Sequence, residues 1–274
     1  MKLRLDKLLV ERGLVPSRER AQALILAGKV LVNEQKIEKC GAAVESDVTL
    51  RLLGDDLKYV SRGGIKLERA INHWQIEVNG LVCLDIGAST GGFTDCLLQH
   101  GAARVIAIDT GYGQLDFRLR QDPRVRLLEK TNARYLTHEA LGDFVSFVAM
   151  DVSFISATLV LPAVIAAAFP QANARTFDRP AVSNTNYGAT GVLAAQNANS
   201  KSEKTVVVLV KPQFEAGREQ VGKGGIVRDE AAQFAALERV RESLLQLGAR
   251  CTDHIDSPIL GAEGNREFLL YAEF

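Results

Sequence analysis

The sequence predicts an α/β fold: a parallel sheet covered by helices on both faces, preceded by a small separate module. Three observations lead there. Residues 82–93, Val-Cys-Leu-Asp-Ile-Gly-Ala-Ser-Thr-Gly-Gly-Phe, read as an apolar strand running into a glycine-rich turn. From Leu81 onward short apolar runs alternate with helical stretches, the pattern of strand–helix–strand units. Residues 1–55 follow a different plan, two helices and then short strands.

In that first module, Leu5-Asp6-Lys7-Leu8-Leu9-Val10-Glu11-Arg12-Gly13 is a short amphipathic helix stopped by glycine. Ser17 reads as the N-cap of a second helix, Arg18 to Ala27, with Gly28 closing it. Lys29–Asn33 and Val48–Leu52 are strand-like, with turn chemistry between them. Tyr59-Val60-Ser61-Arg62-Gly63-Gly64-Ile65-Lys66-Leu67 forms a junction whose glycine pair permits a sharp turn, and residues 66–73 read as a helix leading into the larger domain. The expected divisions are therefore 1–58, 59–80 and 81–274. Within the last, strands are expected at 82–86, 104–109, 125–129, 146–151 and 205–210, and helices at 92–99, 114–120 and 156–168. Residues 171–204 interrupt the pattern with seven Ala and five Asn among Ser, Thr, Gly and Gln, and read as a surface insertion without a site.

Composition narrows the class. A chain of 274 residues, 47% hydrophobic and 24% charged, suits a soluble protein with one large and one small domain. Net charge is zero, but residues 1–70 carry a balance of +4 and the rest −4, which favours a nucleic-acid grip at the front. The four cysteines (Cys40, Cys83, Cys96, Cys251) are scattered, so neither a metal site nor a disulfide framework is expected, and a reducing cytoplasm is. The longest apolar stretch, Ala157 to Phe169, contains Pro162 and falls short of the ~20 residues of a membrane span. With no signal peptide at the N-terminus, a membrane partner is not expected.

The glycine-rich turn identifies a ligand class. An apolar strand, a loop of bare backbone, and an acid about 20 residues on form the Rossmann-like arrangement that holds an adenosine cofactor. Here the glycines fall at 87, 91 and 92, giving Asp-x-Gly-x-x-x-Gly-Gly rather than the Gly-x-Gly-x-x-Gly that seats a pyrophosphate. That spacing favours S-adenosylmethionine, which has no phosphate, over a dinucleotide. Asp85 and the loop residues Gly87, Ala88, Ser89, Gly91, Gly92 and Phe93 are expected at the methionine end, and Asp109 at the ribose hydroxyls. Asn132 is a candidate for the adenine border, with a helix cap as its alternative role.

Two further strands end in charged residues. Phe147-Val148-Ala149-Met150-Asp151 and Val206-Val207-Val208-Leu209-Val210-Lys211 place an acid and a lysine at the carboxyl edge, where ligands of open α/β sheets bind. Ser153 is the expected cap of the turn after the first of these, which frees Asp151 to face the ligand. Pro212 fixes the exit from the second. A plain structural ion pair is the alternative reading of Asp151 and Lys211.

The N-terminal pieces Leu5-Asp6-Lys7-Leu8-Leu9, Ser17-Arg18-x-x-Ala21 and Ile25-x-Ala27-Gly28-Lys29-Val30-x-Val32-Asn33 resemble the S-four-type, or α-L, RNA-binding domain. The resemblance implies RNA contacts by basic residues, of which Arg4, Lys7, Arg18, Arg20, Lys29 and, in the junction, Arg62 are the candidates. Apart from 171–204, the whole chain resembles the TlyA family of ribosomal RNA 2′-O-methyltransferases, called haemolysin-like in older naming, whose catalytic domain is FtsJ-like. The matching pieces are Ser61-Arg62-Gly63-Gly64-x-Lys66-Leu67, Asp85–Asp95, Met150-Asp151-Val152-Ser153-Phe154, Val210-Lys211-Pro212-Gln213-Phe214-Glu215 and Gly264-Asn265-x-Glu267. The resemblance implies a Rossmann-like class I S-adenosylmethionine-dependent methyltransferase whose Lys-Asp-Lys-Glu tetrad maps onto Lys66, Asp151, Lys211 and Glu267. It further implies a cytidine in 16S rRNA, 23S rRNA or both, free or in a ribosomal subunit, as substrate, and no metal.

The chemistry of those residue types agrees. Ribose methylation is in-line attack of a hydroxyl on a sulfonium methyl, with loss of the hydroxyl proton. A lysine whose pKa is depressed by a second lysine can take or stabilise that proton, while flanking carboxylates orient both. Lys211 is the expected base or alkoxide stabiliser and Asp151 its partner, with Lys66 and Glu267 positioning the ribose. A membrane-active haemolysin and a non-catalytic RNA-binding assembly factor are the competing readings.

Overall fold

The computed structural model describes residues 2–15, 17–53, 58–170, 204–261 and 264–274; the backbone alone is described at 218. The insertion read at 171–204 therefore lies, but for its last residue, outside the described residues. The chain forms two compact units, Met1–Lys58 and Tyr59–Phe274.

In the first unit, β1 (Lys2–Arg4) leads into α1 (Leu5–Glu11) and α2 (Arg18–Leu26), followed by β2 (Val30–Val32), β3 (Gln35–Lys36), β4 (Ala43–Glu45) and β5 (Leu50–Leu52). Ser17 caps α2 as expected, accepting the Arg20 N–H at 3.2 Å. The strands form an antiparallel pair, β1 with β4, and a three-stranded sheet ordered β3-β2-β5. Leu5 and Leu9 of α1, Ala21, Leu24 and Ile25 of α2, and Val30 and Val32 of β2 make the core. Asp6 lies fully buried beneath this surface. It accepts from Arg4 Nε and Nη2 at 3.0 Å each, from Arg18 Nε at 2.8 Å and from Gln22 Nε2 at 2.9 Å. Arg4 and Arg18, read as RNA contacts, thus also serve a buried carboxylate, which their bonds hold well below the usual carboxylate range.

The second unit begins with α3 (Gly63–Trp74), then β6 (Val82–Ile86), α4 (Gly92–Gln99), β7 (Arg104–Ile108), α5 (Phe117–Gln121) and β8 (Val125–Leu128). There follow α6 (His138–Leu141), β9 (Phe147–Met150), α7 (Leu161–Ala168), β10 (Thr205–Val210), α8 (Pro212–Glu215), α9 (Glu230–Gln246), β11 (Cys251–Asp256) and β12 (Phe268–Glu273). Among the described residues, short 3₁₀ turns at 133–135, 157–159 and 218–220 sit in the connections. The strands form a sheet ordered β11-β12-β10-β9-β6-β7-β8.

The sheet is mixed rather than all parallel. From β8 to β10 each neighbour is parallel, but β12 runs antiparallel to both β10 and β11. Apart from the edge strand β8, the parallel strands are buried on both faces, and alternate residues enter two separate cores. Leu84, Ile106, Val148, Val206 and Val208 meet α7 (Leu161, Val164, Ile165) and α9 (Leu237, Val240, Leu244). Cys83, Val105, Phe147, Val207 and Leu209 meet α3 (Leu67, Ala70, Ile71) and α4 (Phe93, Cys96, Leu97).

Three local expectations change. Residues 59–80, expected as a junction and leading helix, pack into the larger unit: Tyr59, Ile76 and Val78 belong to the same core as α3. The glycine pair opens α3 rather than making a turn, because Gly64 packs where a Cβ would lie 2.2 Å from the Tyr59 ring. The single helix expected at 156–168 is a 3₁₀ turn followed by α7, since Pro162 in the first turn has no N–H to continue a preceding helix.

Candidate active site

The carboxyl edge of the sheet gathers the four tetrad positions. Asp151 directly follows β9 and Lys211 directly follows β10, its neighbour in the sheet. Pro212 holds Lys211 extended (φ −112°, ψ 102°) at the strand end. Val210 pairs with Phe268 in the antiparallel register, so Glu267, the residue before β12, arrives at the same edge. Lys66 comes from the first turns of α3, whose approach is fixed by Asp95 of α4 accepting the Val60 N–H at 2.8 Å.

The four residues form two lysine–carboxylate pairs. Lys211 Nζ lies 2.6 Å from Asp151 Oδ1 and donates to Ser153 Oγ at 2.7 Å. Lys66 Nζ donates to Glu267 Oε2 at 2.5 Å. The environments differ: Glu267 is 3% exposed, whereas the Asp151 side chain keeps 22% of its surface in solvent. Both pairs line one cleft of about 340 Å³, together with Ser61, Arg62, Gly63, Gly87, Ala88, Ser89, Thr90, Gly92, Phe93 and Ser153.

That volume is in the range of small-molecule sites, and the loop supplies bare backbone to it. Gly87 sits at φ +85°, and a Cβ there would lie 2.4 Å from the Asp151 carbonyl oxygen. Gly87→Ala is therefore expected to push the β6 and β9 exits apart, costing about 1–3 kcal/mol and most of the cofactor affinity. Thermal melts and calorimetric titration with S-adenosylmethionine check this, and unchanged affinity would refute it.

The other expected cofactor residues are placed less directly. Asp109 does not line the cleft; its carboxylate accepts the Ser89 N–H at 2.8 Å and the Gly111 N–H at 2.6 Å, holding Ser89 at φ +48°. Each oxygen keeps a lone pair for a ribose hydroxyl. Gly91 faces Leu115 and Leu119 rather than the cleft. Asn132 takes the alternative role, capping the 133–135 turn by accepting the Arg134 N–H at 3.1 Å.

Asp85 does not line the cleft: it is fully buried in β6 beneath the loop, with Oδ2 accepting from Thr94 Oγ1 at 2.6 Å and Oδ1 without a hydrogen-bond partner among the described residues. Burial pushes its carboxyl up to about 7, against the Thr94 hydrogen bond, which favours the anion. A raised folded value stabilises the fold at acid pH, and that contribution is lost as pH climbs from the ordinary value near 4 through about 7. Relative to Asp85→Asn, which does not titrate, the wild-type protein should lose a few kcal/mol of stability between roughly pH 4 and 8. A pH-independent difference between their melting temperatures would overturn this.

Three residues were missed or misassigned in the sequence. Ser153, expected as a cap, instead holds Lys211, and the cap of the 157–159 turn is Ser156. Glu215 is buried and accepts from Ser156 Oγ at 2.5 Å and Ala157 N at 2.6 Å, locking the segments after β9 and β10 together. Burial raises its carboxyl above the ordinary range. Phe154 is 92% exposed at φ +65°, with its ring 5.4 Å from that of Phe214. An apolar ring held open to solvent in a strained backbone is a functional signal. The motif Met150–Phe154 contained it, but exposure cannot be read from a residue's name.

Comparisons with known proteins fit this geometry. Residues 59–274 match the model of FtsJ-like methyltransferases, and residues 3–47 match that of the S4 domain. A provisionally assigned rRNA methyltransferase of Bacillus subtilis is 42% identical over 98% of this chain and 85% of its own length. The 16S/23S rRNA (cytidine-2′-O)-methyltransferase TlyA of Mycobacterium tuberculosis is 41% identical over 98% of this chain and 88% of its own. The solved structure of a provisionally assigned hemolysin from Streptococcus thermophilus gives a TM-score of 0.65 at 40% identity, covering 99% of this chain and 88% of that one.

Proposed function

The chain belongs to the FtsJ-like methyltransferase family, and on that premise we propose that it transfers a methyl group from S-adenosylmethionine to the 2′-hydroxyl of a cytidine in 16S rRNA, 23S rRNA or both. The observation that supports this most is the pair of lysine–carboxylate couples sharing one cleft with the glycine loop. A module that only binds RNA has no use for two such couples at one sheet edge.

When bound, the cofactor supplies an electrophilic methyl. The chain's own residues do the rest. Gly87, Ala88, Ser89, Thr90, Gly92 and Phe93 would hold the donor, and Asp109 would take its ribose. Lys66, oriented by Glu267, positions the target ribose. Lys211 Nζ, held 2.6 Å from Asp151, stabilises the oxygen as it becomes an alkoxide, and the carboxylate of the pair accepts the hydroxyl proton. Fixing the oxygen in line with the methyl contributes through proximity as well. Phe154, exposed beside Ser153, offers a face on which a base can stack. The N-terminal unit, matched as an S4 domain, brings the rRNA.

The haemolysin reading draws on the description of the solved relative. Among the described residues no helix is long and apolar enough to cross a membrane, and lysis has no use for the cleft.

The deciding experiment maps 2′-O-methyl groups on rRNA from cells with and without the gene, and repeats the transfer with purified protein. One or more cytidines should lose the modification in the deletion strain and regain it in vitro. No difference at any cytidine would overturn the proposal.

A further inference from the structure

The turn from Gly222 to Arg228 lies outside the cleft and has no role in the transfer chemistry. It is closed by Gly222 N–H to Ile226 O at 2.9 Å and Gly225 N–H to Gly222 O at 3.1 Å. Gly224 and Gly225 lie at φ +79° and +74°, and a Cβ at either would meet nothing within 4 Å. The backbone there is bare and open, and while the Gly222 and Gly225 N–H groups close the turn, that of Gly224 donates to no backbone group among the described residues and is left for an anion.

The charges around it fit the same ligand. Lys223 and Arg228 are exposed and have no acidic partner among the described residues. The nearby acids are engaged: Asp229 caps α9 through the Ala231 N–H at 3.1 Å, and Glu230 pairs with Arg266 at 3.1 Å.

The base of the turn is anchored more firmly than a solvent loop requires. Asn265, 1% exposed, accepts the Val227 N–H through Oδ1 at 3.0 Å and donates through Nδ2 to Gly225 O at 2.9 Å. Gln233 Nε2 donates to Val227 O at 2.7 Å. Asn265 stands two residues before Glu267, and its carbonyl accepts the Gly261 N–H at 2.9 Å. One buried amide therefore positions both the open turn and the strand entry that bears a tetrad carboxylate.

We propose that the Gly222–Arg228 turn is a phosphodiester-binding site that grips the substrate RNA backbone next to the nucleotide in the cleft. The ligand is a backbone phosphate, held by the Gly224 N–H and by the two cations, without base readout. This rests on the rRNA methyltransferase reading.

The test compares the full chain with Lys223→Ala/Arg228→Ala and with the charge-preserving Lys223→Arg/Arg228→Lys, using rRNA transcripts as probe. Methylation kinetics, RNA affinity against salt, and S-adenosylmethionine affinity are measured. The alanine pair should raise KM for RNA about tenfold and flatten the salt dependence of binding by roughly one to two units of slope. Its kcat and cofactor affinity should stay within twofold of wild type, and the charge-preserving pair should behave as wild type. An unchanged KM and salt slope would overturn the site, as would a loss confined to kcat. If wild-type protein methylates no rRNA at all, the functional reading fails instead, and the two failures are distinct.

Discussion

Lys211→Ala is expected to cut the methyl-transfer rate by about 10²–10⁴-fold while the protein still folds and binds S-adenosylmethionine. The fold should survive because the partner left behind is not stranded: Asp151 keeps 22% of its side-chain surface in solvent and can be hydrated. Removing Lys211 also leaves the apolar run of β10 intact, since the lysine follows the strand rather than packing inside it. Single-turnover incorporation of labelled methyl, with cofactor binding measured in parallel, separates the two effects. Turnover like that of wild type would exclude Lys211 from the chemistry.

Glu267→Ala should behave differently. The partner it strands is Lys66, 8% exposed, and an uncompensated buried ammonium typically costs about 3–5 kcal/mol. The melting temperature should fall by about 10 °C, and activity should be lost. Stability and catalysis are separated by Lys66→Met/Glu267→Leu, which replaces both charges with apolar groups of similar size. That double variant should regain most of the lost stability and none of the activity. Recovery of activity along with stability would reduce the pair to a structural role.

The sequence showed the front half of the large unit better than its end. The strand at Val82–Ile86 and the helix at Gly92–Gln99 fall where expected, because an all-apolar run and a glycine loop punctuate the chain there. The edge strand Cys251–Asp256 offers no such run: it places charged residues on its open face, and only Thr252 and Ile255 are half-buried. Helix α9 does carry apolar residues at helical spacing, Ala232, Ala236, Leu237, Val240 and Leu244, but the polar segment around it hid its partner strands. The tetrad positions were legible by resemblance and by strand-end position. The pairing of Lys66 with Glu267, 201 residues apart, depends on an antiparallel strand that local pattern does not reveal. Asp85 shows what position in a motif leaves out: the carboxyl is fully buried, with Oδ2 on Thr94.

The reversed direction of β12 has a consequence for synthesis. Every strand bearing a tetrad residue at its end is parallel except this one, and Glu267 enters the site only because β12 runs back from the far side of β10. The four tetrad positions therefore cannot come together until the residues of β12 have left the ribosome and paired with β10. A nascent chain that stops short of that strand already holds Lys66, Asp151 and Lys211, but Lys66 still lacks the carboxylate that pairs with it.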